Sequence, residues 1–109
     1  MNLRHVWGVK DNNCDKYYFC DALEEGWCEA LQPELGRKLR FEFPPEKVPY
    51  LGLWKTQGGF KGDYNFALEP CTGLYDDVYV ANRTGHIKSV PANGEYTWFL
   101  RFSSDTLER

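Results

Sequence analysis

The sequence lacks a long apolar run, an excess of basic residues and an apolar stretch at its start, and each absence argues against a class of protein. No run approaches the ~20 apolar residues that a membrane-spanning helix needs, so we expect no membrane partner. With 13 Lys and Arg against 16 Asp and Glu, and a net charge of −3, the chain has no basic stripe for phosphates, which argues against nucleic acid. Residues 1–7 do not have the apolar core of a signal peptide, and we therefore expect a cytoplasmic protein.

The four cysteines also lack the spacing of a familiar metal site. They are Cys14, Cys20, Cys28 and Cys71. Zinc sites usually draw on two close pairs of Cys or His, and these gaps do not provide them. In a chain without an export signal, the expected state is four free thiols and no bound metal.

What the sequence has in quantity is aromatic residues, at 17% of 109 residues. Aromatic side chains favour strands, fill sandwich cores and stack on the apolar faces of sugars. A chain of this length forms one domain at most. Short alternating runs broken by Gly, Pro and Asn predict an all-β fold, an antiparallel β-sandwich.

The alternation places seven strands. We expect them at Lys16–Cys20, Trp27–Leu31, Lys38–Phe43, Tyr50–Lys55, Tyr64–Glu69, His86–Val90 and Glu95–Phe102, the last having the strongest pattern. Residues 33–36 predict a hairpin connection, and Pro70 is expected to end its strand. The segment 76–82 fits either a helical turn capped by Asp76 or Asp77, or a strand. Residues 1–15 show no clear pattern, residues 16–102 form the sandwich portion, and the polar residues 103–109 are expected to fray.

One carboxylate stands out by its place in this pattern. In the strand Tyr64–Glu69 the apolar side chains share one face, whereas Asn65, Ala67 and Glu69 share the other. A carboxylate fixed at a strand end beside small neighbours leaves room for a ligand and can act as a general base. The simpler interpretation is a solvated glutamate at a strand terminus.

Several stretches resemble the C-terminal region of the aldose 1-epimerase, or galactose mutarotase-like, family. They are Glu24–Trp27, Leu39–Phe43, Val48–Trp54, Gly58–Gly59, Asn65–Gly73, and Pro91–Glu95 with the aromatic segment after it. The similarity covers about Lys16 to Phe102, and the segment Leu68–Gly73 is its most specific part. The resemblance implies part of a large antiparallel supersandwich that binds hexoses in a cleft across one sheet.

The resemblance also implies a reaction, the interconversion of the α and β anomers of an aldose. A glutamate takes the proton from the C1 hydroxyl while a histidine protonates the ring oxygen, so no metal or organic cofactor is needed. By position in the motif, Glu69 corresponds to that glutamate. Neither His5 nor His86 matches the histidine, which in the family lies upstream. The chain therefore resembles the final third of such an enzyme, as a fragment or a truncated product, and is expected to be inactive alone.

The remaining candidates would contact the sugar. Trp54 shares a strand face with Gly52 and is either a stacking platform or a core residue. Phe60 would line the cleft mouth, Thr72 would shape the loop after Glu69, and Asn65 lies on the glutamate's own face. Two further residues, Lys55 and Gln57, lie near the end of their strand and either hydrogen-bond sugar hydroxyls or form a solvated rim, and we favour the rim. Asp76 and Asp77 are not expected to converge on Glu69 as a carboxylate pair.

Alternative functions and partners follow from the same features. The aromatic sheet could serve as a non-catalytic carbohydrate-binding module, or as a structural β-sandwich module. Strands cut from a larger sandwich expose edges that pair with other chains. We therefore expect a homo-oligomer, a complex with the missing N-terminal portion, or aggregation.

Overall fold

The structure, a computed structural model, describes residues 5–6 and 11–107. Its strands are β1 (Asn13–Tyr18), β2 (Trp27–Gln32), β3 (Arg37–Glu42), β4 (Tyr50–Gln57), β5 (Tyr64–Cys71) and β6 (Arg101–Thr106). One α-helix, α1, spans Val78–Arg83, and a 3-10 helix spans Pro33–Leu35. Residues 1–4, 7–10 and 108–109 lie outside the described residues, so the N-terminal segment 1–15 is described only in part.

The strands form two antiparallel three-stranded sheets, which confirms the predicted all-β, sandwich-like fold. The first sheet has the order β1-β4-β5 and the second the order β2-β3-β6. β1 and β2 are consecutive in sequence but belong to different sheets. The segment 19–26 between them therefore crosses from one sheet to the other.

The β2–β3 hairpin follows the sequence closely. Its connection is the 3-10 helix predicted as a turn, and it ends at Gly36 with a φ of 60°, a left-handed conformation. The Gly36 amide donates to the carbonyl of Pro33 at 3.1 Å. Glycine adopts this conformation without the clash of a Cβ atom, so the chain reverses here and β3 pairs with β2.

The core lies between the two sheets. Its buried cluster comes from β2, the β3–β4 connection and β4, and consists of Cys28, Phe43, Val48 and Leu51. Phe41 of β3 and Leu68 of β5 pack against this cluster from opposite sheets. Leu68 thus lies on the inward face, as the alternation predicts, whereas Tyr64 at the far end of the same strand is 43% exposed.

β5 extends further than expected. Pro70 does not end the strand but lies within it, opposite Leu51, and the ladder continues to Cys71 opposite Tyr50. A proline is tolerated here because β5 is an edge strand of the first sheet, where one missing amide donor costs less than in a central strand.

The two C-terminal strand predictions were inaccurate. Residues 86–90 form no strand, and a single bridge joins Ile87 to Gly73. Residues 95–100 have no regular secondary structure, and β6 starts at Arg101 and includes residues 103–106, which were expected to fray. An alternating aromatic pattern fixes which side chains share a face, but a strand also needs a neighbour for its backbone. Residues 95–100 pair with no neighbouring strand, and the Tyr96 side chain holds this segment to the β3–β4 connection by donating its hydroxyl to the carbonyl of Lys47.

The ambiguous segment 76–82 forms most of the helix α1. Asp77 is its N-cap, and its carboxylate accepts from the amides of Tyr79 at 2.8 Å and Val80 at 3.3 Å. Such a cap satisfies amides that have no partner within the first turn. Of the two capping candidates the structure selects Asp77, which leaves the side chain of Asp76 available for other contacts.

Candidate functional site

The pairing of β4 with its neighbours determines which side chains share a surface. Gly52 lies opposite Glu69, and Trp54 lies opposite Ala67. Residues opposite one another in an antiparallel ladder project to the same side, and successive residues alternate. Because Leu51 and Leu68 project towards the core, this set projects away from it. We call this surface the outer face of the first sheet.

Glu69 lies on the outer face over a position without a side chain. A Cβ atom on Gly52 would stand 3.3 Å from Glu69 Oε2 and 3.1 Å from Tyr18 Cε1. Both distances are closer than ordinary van der Waals contact. The glycine therefore gives the carboxylate and the tyrosine ring the room to approach the backbone of β4.

The Glu69 carboxylate belongs to a charged cluster formed with Lys16, Tyr18 and Asp76. The Lys16 ammonium lies 3.0 Å from Glu69 Oε2 and 2.7 Å from Asp76 Oδ1. The Tyr18 hydroxyl also donates to Asp76 Oδ1. Asp76 and Asp77 were not expected to converge on Glu69; Asp76 does lie near it, because a single ammonium group holds both carboxylates, whereas Asp77 caps α1.

The contacts shift the pKa values of Lys16, Tyr18 and Asp76. The hydrogen bond to Asp76 is the main cause that raises the pKa of Lys16 above its ordinary value. The same hydrogen bond lowers the pKa of Asp76 below its ordinary range. Burial, and then the contact with Asp76, raise the pKa of Tyr18, which favours the neutral phenol. With two carboxylates to one ammonium, the cluster has a net negative charge near neutral pH.

An open depression of about 430 Å³ adjoins this cluster. Its lining includes Thr72, Gly73, Tyr75, Asp76, Ile87 and Lys88. Asp76 belongs to both features. Tyr75 lines the depression, and its ring meets the Tyr18 ring of the cluster edge to face at 5.5 Å between centroids. The predicted sugar-binding residue Thr72 thus lines the depression next to the cluster.

The other predicted residues lie on the outer face, along the strands from Glu69. Trp54 is half-buried, and its ring meets the Phe60 ring edge to face at 5.7 Å between centroids. Asn65 lies opposite Thr56 and is exposed. Asn65 and Glu69 are four residue steps apart along β5, a distance of ~13 Å. Trp54, Asn65 and Glu69 therefore share one surface, but the aromatic pair and Thr72 lie on different sides of Glu69.

Lys55 and Gln57 do not form a solvated rim, so that expectation is wrong. Both are buried, at 4% and 3% exposure, and they project from the side of β4 opposite to Trp54. The Lys55 ammonium donates to the backbone carbonyl of His5 at 3.1 Å and lies 5.3 Å from the centre of the Tyr17 ring. A chain segment covers this lysine, which alternation within β4 alone cannot reveal.

His86 flanks the loop after β5. Its Nδ1 lies 2.9 Å from Thr84 Oγ1, and its ring meets the Tyr50 ring edge to face at 5.9 Å. Its backbone accepts from the Leu74 amide and donates to the Ala81 carbonyl. These contacts anchor the segment after α1 against the end of the first sheet.

Sequence reasoning missed Lys16, Tyr18 and Asp76 as members of the site. Lys16 and Tyr18 reach Glu69 only because β1 pairs with β4, with Lys16 opposite Trp54. Asp76 is 60 residues away from Lys16 in sequence. The available signal was the alternation that puts Lys16 and Tyr18 on one face of their strand, and it does not say which strand lies beside them.

Fold and site together define an all-β protein with a carboxylate–ammonium cluster on the outer face of one sheet. Comparison with protein-family models, curated proteins and solved structures found no match.

Within residues 5–6 and 11–107, no three His, Cys, Asp or Glu side chains are grouped so that they could hold a metal ion. No helix in this part of the chain is both long and apolar enough to span a membrane.

Proposed function

We propose that the chain is the C-terminal portion of an aldose 1-epimerase-like β-sandwich that binds a hexose on the outer face of the first sheet. Glu69 is the proposed general base for the interconversion of anomers. The observation that carries this proposal is the position of the Glu69 carboxylate over Gly52, on the face turned away from the core. The resemblance of the segment Leu68–Gly73 to the family supports the same residue.

The chemistry requires two proton transfers, and this chain offers a group for the first. A carboxylate oxygen of Glu69 accepts the proton of the C1 hydroxyl, the C1–O5 bond breaks, and the ring oxygen takes a proton from an acid. Rotation about the C1–C2 bond and the reverse steps give the other anomer. In this proposal the acid is a histidine of an upstream portion, and the isolated chain is inactive or nearly so.

The cluster assigns a role to Lys16 in this scheme. Its ammonium holds Glu69 Oε2 at 3.0 Å and thereby fixes the direction of the carboxylate. Trp54 and Phe60 supply apolar ring surface further along the outer face, and sugar C–H groups pack on such rings. Asn65 and Thr72 provide hydrogen-bonding groups for hydroxyls on either side of Glu69.

A second candidate is a non-catalytic carbohydrate-binding module. The observation that favours it is the same ion pair, because Lys16 already engages the carboxylate oxygen that would accept a proton. In this version the outer face holds a sugar and no bond is broken. A purely structural β-sandwich module is the remaining alternative, in which the outer face binds no sugar.

Two measurements on the same samples separate these functions. Tryptophan fluorescence during titration with glucose and galactose reports binding, and NMR saturation transfer between the anomers reports exchange. Glu69→Gln is compared with Glu34→Gln, an exposed glutamate in the β2–β3 connection of the other sheet. We expect the wild type and both variants to bind the sugars weakly. Any anomer exchange above the rate in buffer should be lost in Glu69→Gln alone.

Each other outcome has a definite meaning. Exchange that is undiminished in Glu69→Gln contradicts the assignment of the base. Because a chain without its acid is also expected to bind without exchange, exchange is measured again with imidazole added as an external acid. Exchange that imidazole restores in the wild type but not in Glu69→Gln supports the base, and binding without exchange even with imidazole favours the carbohydrate-binding module. If neither sugar binds, the proposal of a hexose site on the outer face fails and the structural alternative stands.

A further inference from the structure

The edge strand β6 of the second sheet is exposed along its whole length. It pairs with β3 on one side and is the last strand of the order β2-β3-β6. All six residues from Arg101 to Thr106 are exposed. An edge strand presents unpaired backbone donors and acceptors, which makes it a template for a further strand.

From this edge we infer that β6 pairs antiparallel with β6 of a second copy of the chain, about a two-fold axis through Ser103. The two second sheets then join into one continuous six-stranded sheet. The pairing involves the second sheet and is independent of any chemistry at Glu69 in the first sheet.

Backbone geometry limits where the axis can lie. Along an edge strand, alternate residues direct their amide and carbonyl groups outward. In a symmetric antiparallel pair, a residue whose amide and carbonyl point outward must pair with a residue of the second copy that does the same. An axis between two neighbouring residues would pair an outward-facing residue with an inward-facing one. The two-fold axis therefore passes through a residue. The two residues at the centre of β6 are Ser103 and Ser104.

Charge selects between these two axes. An axis through Ser103 places Arg101 opposite Asp105 of the second copy, twice by symmetry, and Phe102 opposite Ser104. An axis through Ser104 places Asp105 opposite Ser103 and forms no ion pair between the strands. Opposite charges across a strand pair stabilise the pairing. Arg101 is available for this contact, because its side chain is 69% exposed although it also reaches Glu42 at 3.3 Å.

Exposed apolar surface beside β6 favours the same association. Phe102 is 58% exposed and projects from the side of the sheet that carries Phe41, with 5.4 Å between the two ring centroids. The preceding residues Trp98, Phe99 and Leu100 are also exposed. A strand added along β6 would cover part of this surface.

The total surface of the chain points the same way. The chain exposes 7951 Å². A compact monomer of this mass exposes about 6,200 Å². The surplus of one chain exceeds the ~800 Å² that each partner buries in a standard protein interface.

Charge reversal tests both the edge and the register. Arg101→Asp alone places two aspartates opposite each other at each end, and Asp105→Arg alone does the same with two arginines. Each variant should weaken the dimer about tenfold in its dissociation constant. An equimolar mixture of the two variants restores both ion pairs in a heterodimer. Light scattering coupled to size exclusion, and sedimentation of the mixture, measure these changes.

A cysteine pair gives a second readout that does not depend on charge. In a background with Cys14 and Cys20 changed to serine, Ser103→Cys lies opposite itself across the axis, at a distance that a disulfide spans. Ser104→Cys is the matched control, because Phe102 of the second copy faces it. We expect oxidised dimer from Ser103→Cys and little from Ser104→Cys.

The inference is overturned by a wild-type protein that stays monomeric at the highest concentration reached. It is also overturned if neither charge reversal changes the association, which is the result expected of aggregation or of pairing through another edge. Equal cross-linking at the two serine positions would overturn it as well. Circular dichroism spectra of each variant confirm that the sheets are intact, so a loss of dimer is read as a loss of pairing.

Discussion

The ammonium group of Lys16 lies 3.0 Å from the carboxylate of Glu69, and this contact joins the two outer strands of the first sheet across the central one. β1 supplies the lysine and β5 the glutamate. The Glu69 carboxylate lies over Gly52 of β4, which has no side chain to obstruct it, and there it meets the Lys16 ammonium. The ion pair is thus both a candidate part of the site and a link between strands that do not pair with each other.

The link between β1 and β5 should have a measurable energy. In a double-mutant cycle of Lys16→Met, Glu69→Gln and the double variant, we expect a coupling of about 0.5–1 kcal/mol, the range of partly exposed ion pairs. The two side chains are 29% and 33% exposed, so solvent screens part of their attraction. Urea unfolding measures each free energy, and additive effects would show that the pair does not stabilise the sheet.

Asp76 should make the stability depend on pH in the acid range. Its pKa is lowered by the hydrogen bond from Lys16 below the ordinary 3.8, so its contribution is complete above the unfolded-state pKa and is lost as the pH falls through the folded-state pKa. The difference in thermal unfolding midpoint between the wild type and Asp76→Asn should therefore shrink as the pH is lowered from neutral. Thermal unfolding over a pH series measures it, with the exposed Asp21→Asn as control. A difference that stays constant with pH would contradict this role for Asp76.

Gly52 should resist even the smallest side chain. In Gly52→Ala the new Cβ meets Tyr18 at 3.1 Å and Glu69 at 3.3 Å, so both must shift. We expect a loss of about 1 kcal/mol in the free energy of unfolding, because overpacking forces neighbours from their positions. Gly73→Ala is the matched control, since its nearest contacts start at an ordinary 3.5 Å. Equal effects at the two glycines would show that the space over Gly52 is not required.

Cys28 should be the slowest of the cysteines to react in the folded protein. Burial raises the pKa of its thiol to about 11, so little reactive thiolate forms at mildly alkaline pH. Cys14 and Cys20 are exposed and should be alkylated first. Mass spectrometry after timed treatment with iodoacetamide gives the order, and urea should abolish the protection. Early labelling of Cys28 would show that the core between the sheets opens readily.

Much of the strand structure was predictable from local pattern. Alternation placed β2, β3 and the start of β4 within a residue of their observed limits, because apolar and polar side chains there divide between core and solvent. Turn chemistry at Gly36 gave the β2–β3 hairpin for a comparable reason, since the left-handed conformation is a local property.

The pairing between strands was not predictable in the same way. Contact between Lys16 and Glu69 depends on β1 joining β4, and nothing within either strand states its partner. The aromatic pattern of residues 95–100 indicated a strand that has no ladder in the structure, because alternation describes side chains and not the availability of a neighbour. Asp76 lies in a loop, where no side-chain periodicity could indicate its contact with Lys16.

Pro70 has a consequence for how the protein can assemble. It lies within β5, on the edge of the first sheet, and a proline has no amide hydrogen to offer an incoming strand. A chain docking along that edge would lose one rung of its ladder, and indefinite lateral stacking is opposed on that side. Polymerisation into fibrils should therefore be disfavoured at β5, and replacing Pro70 by a residue with an amide would remove this safeguard.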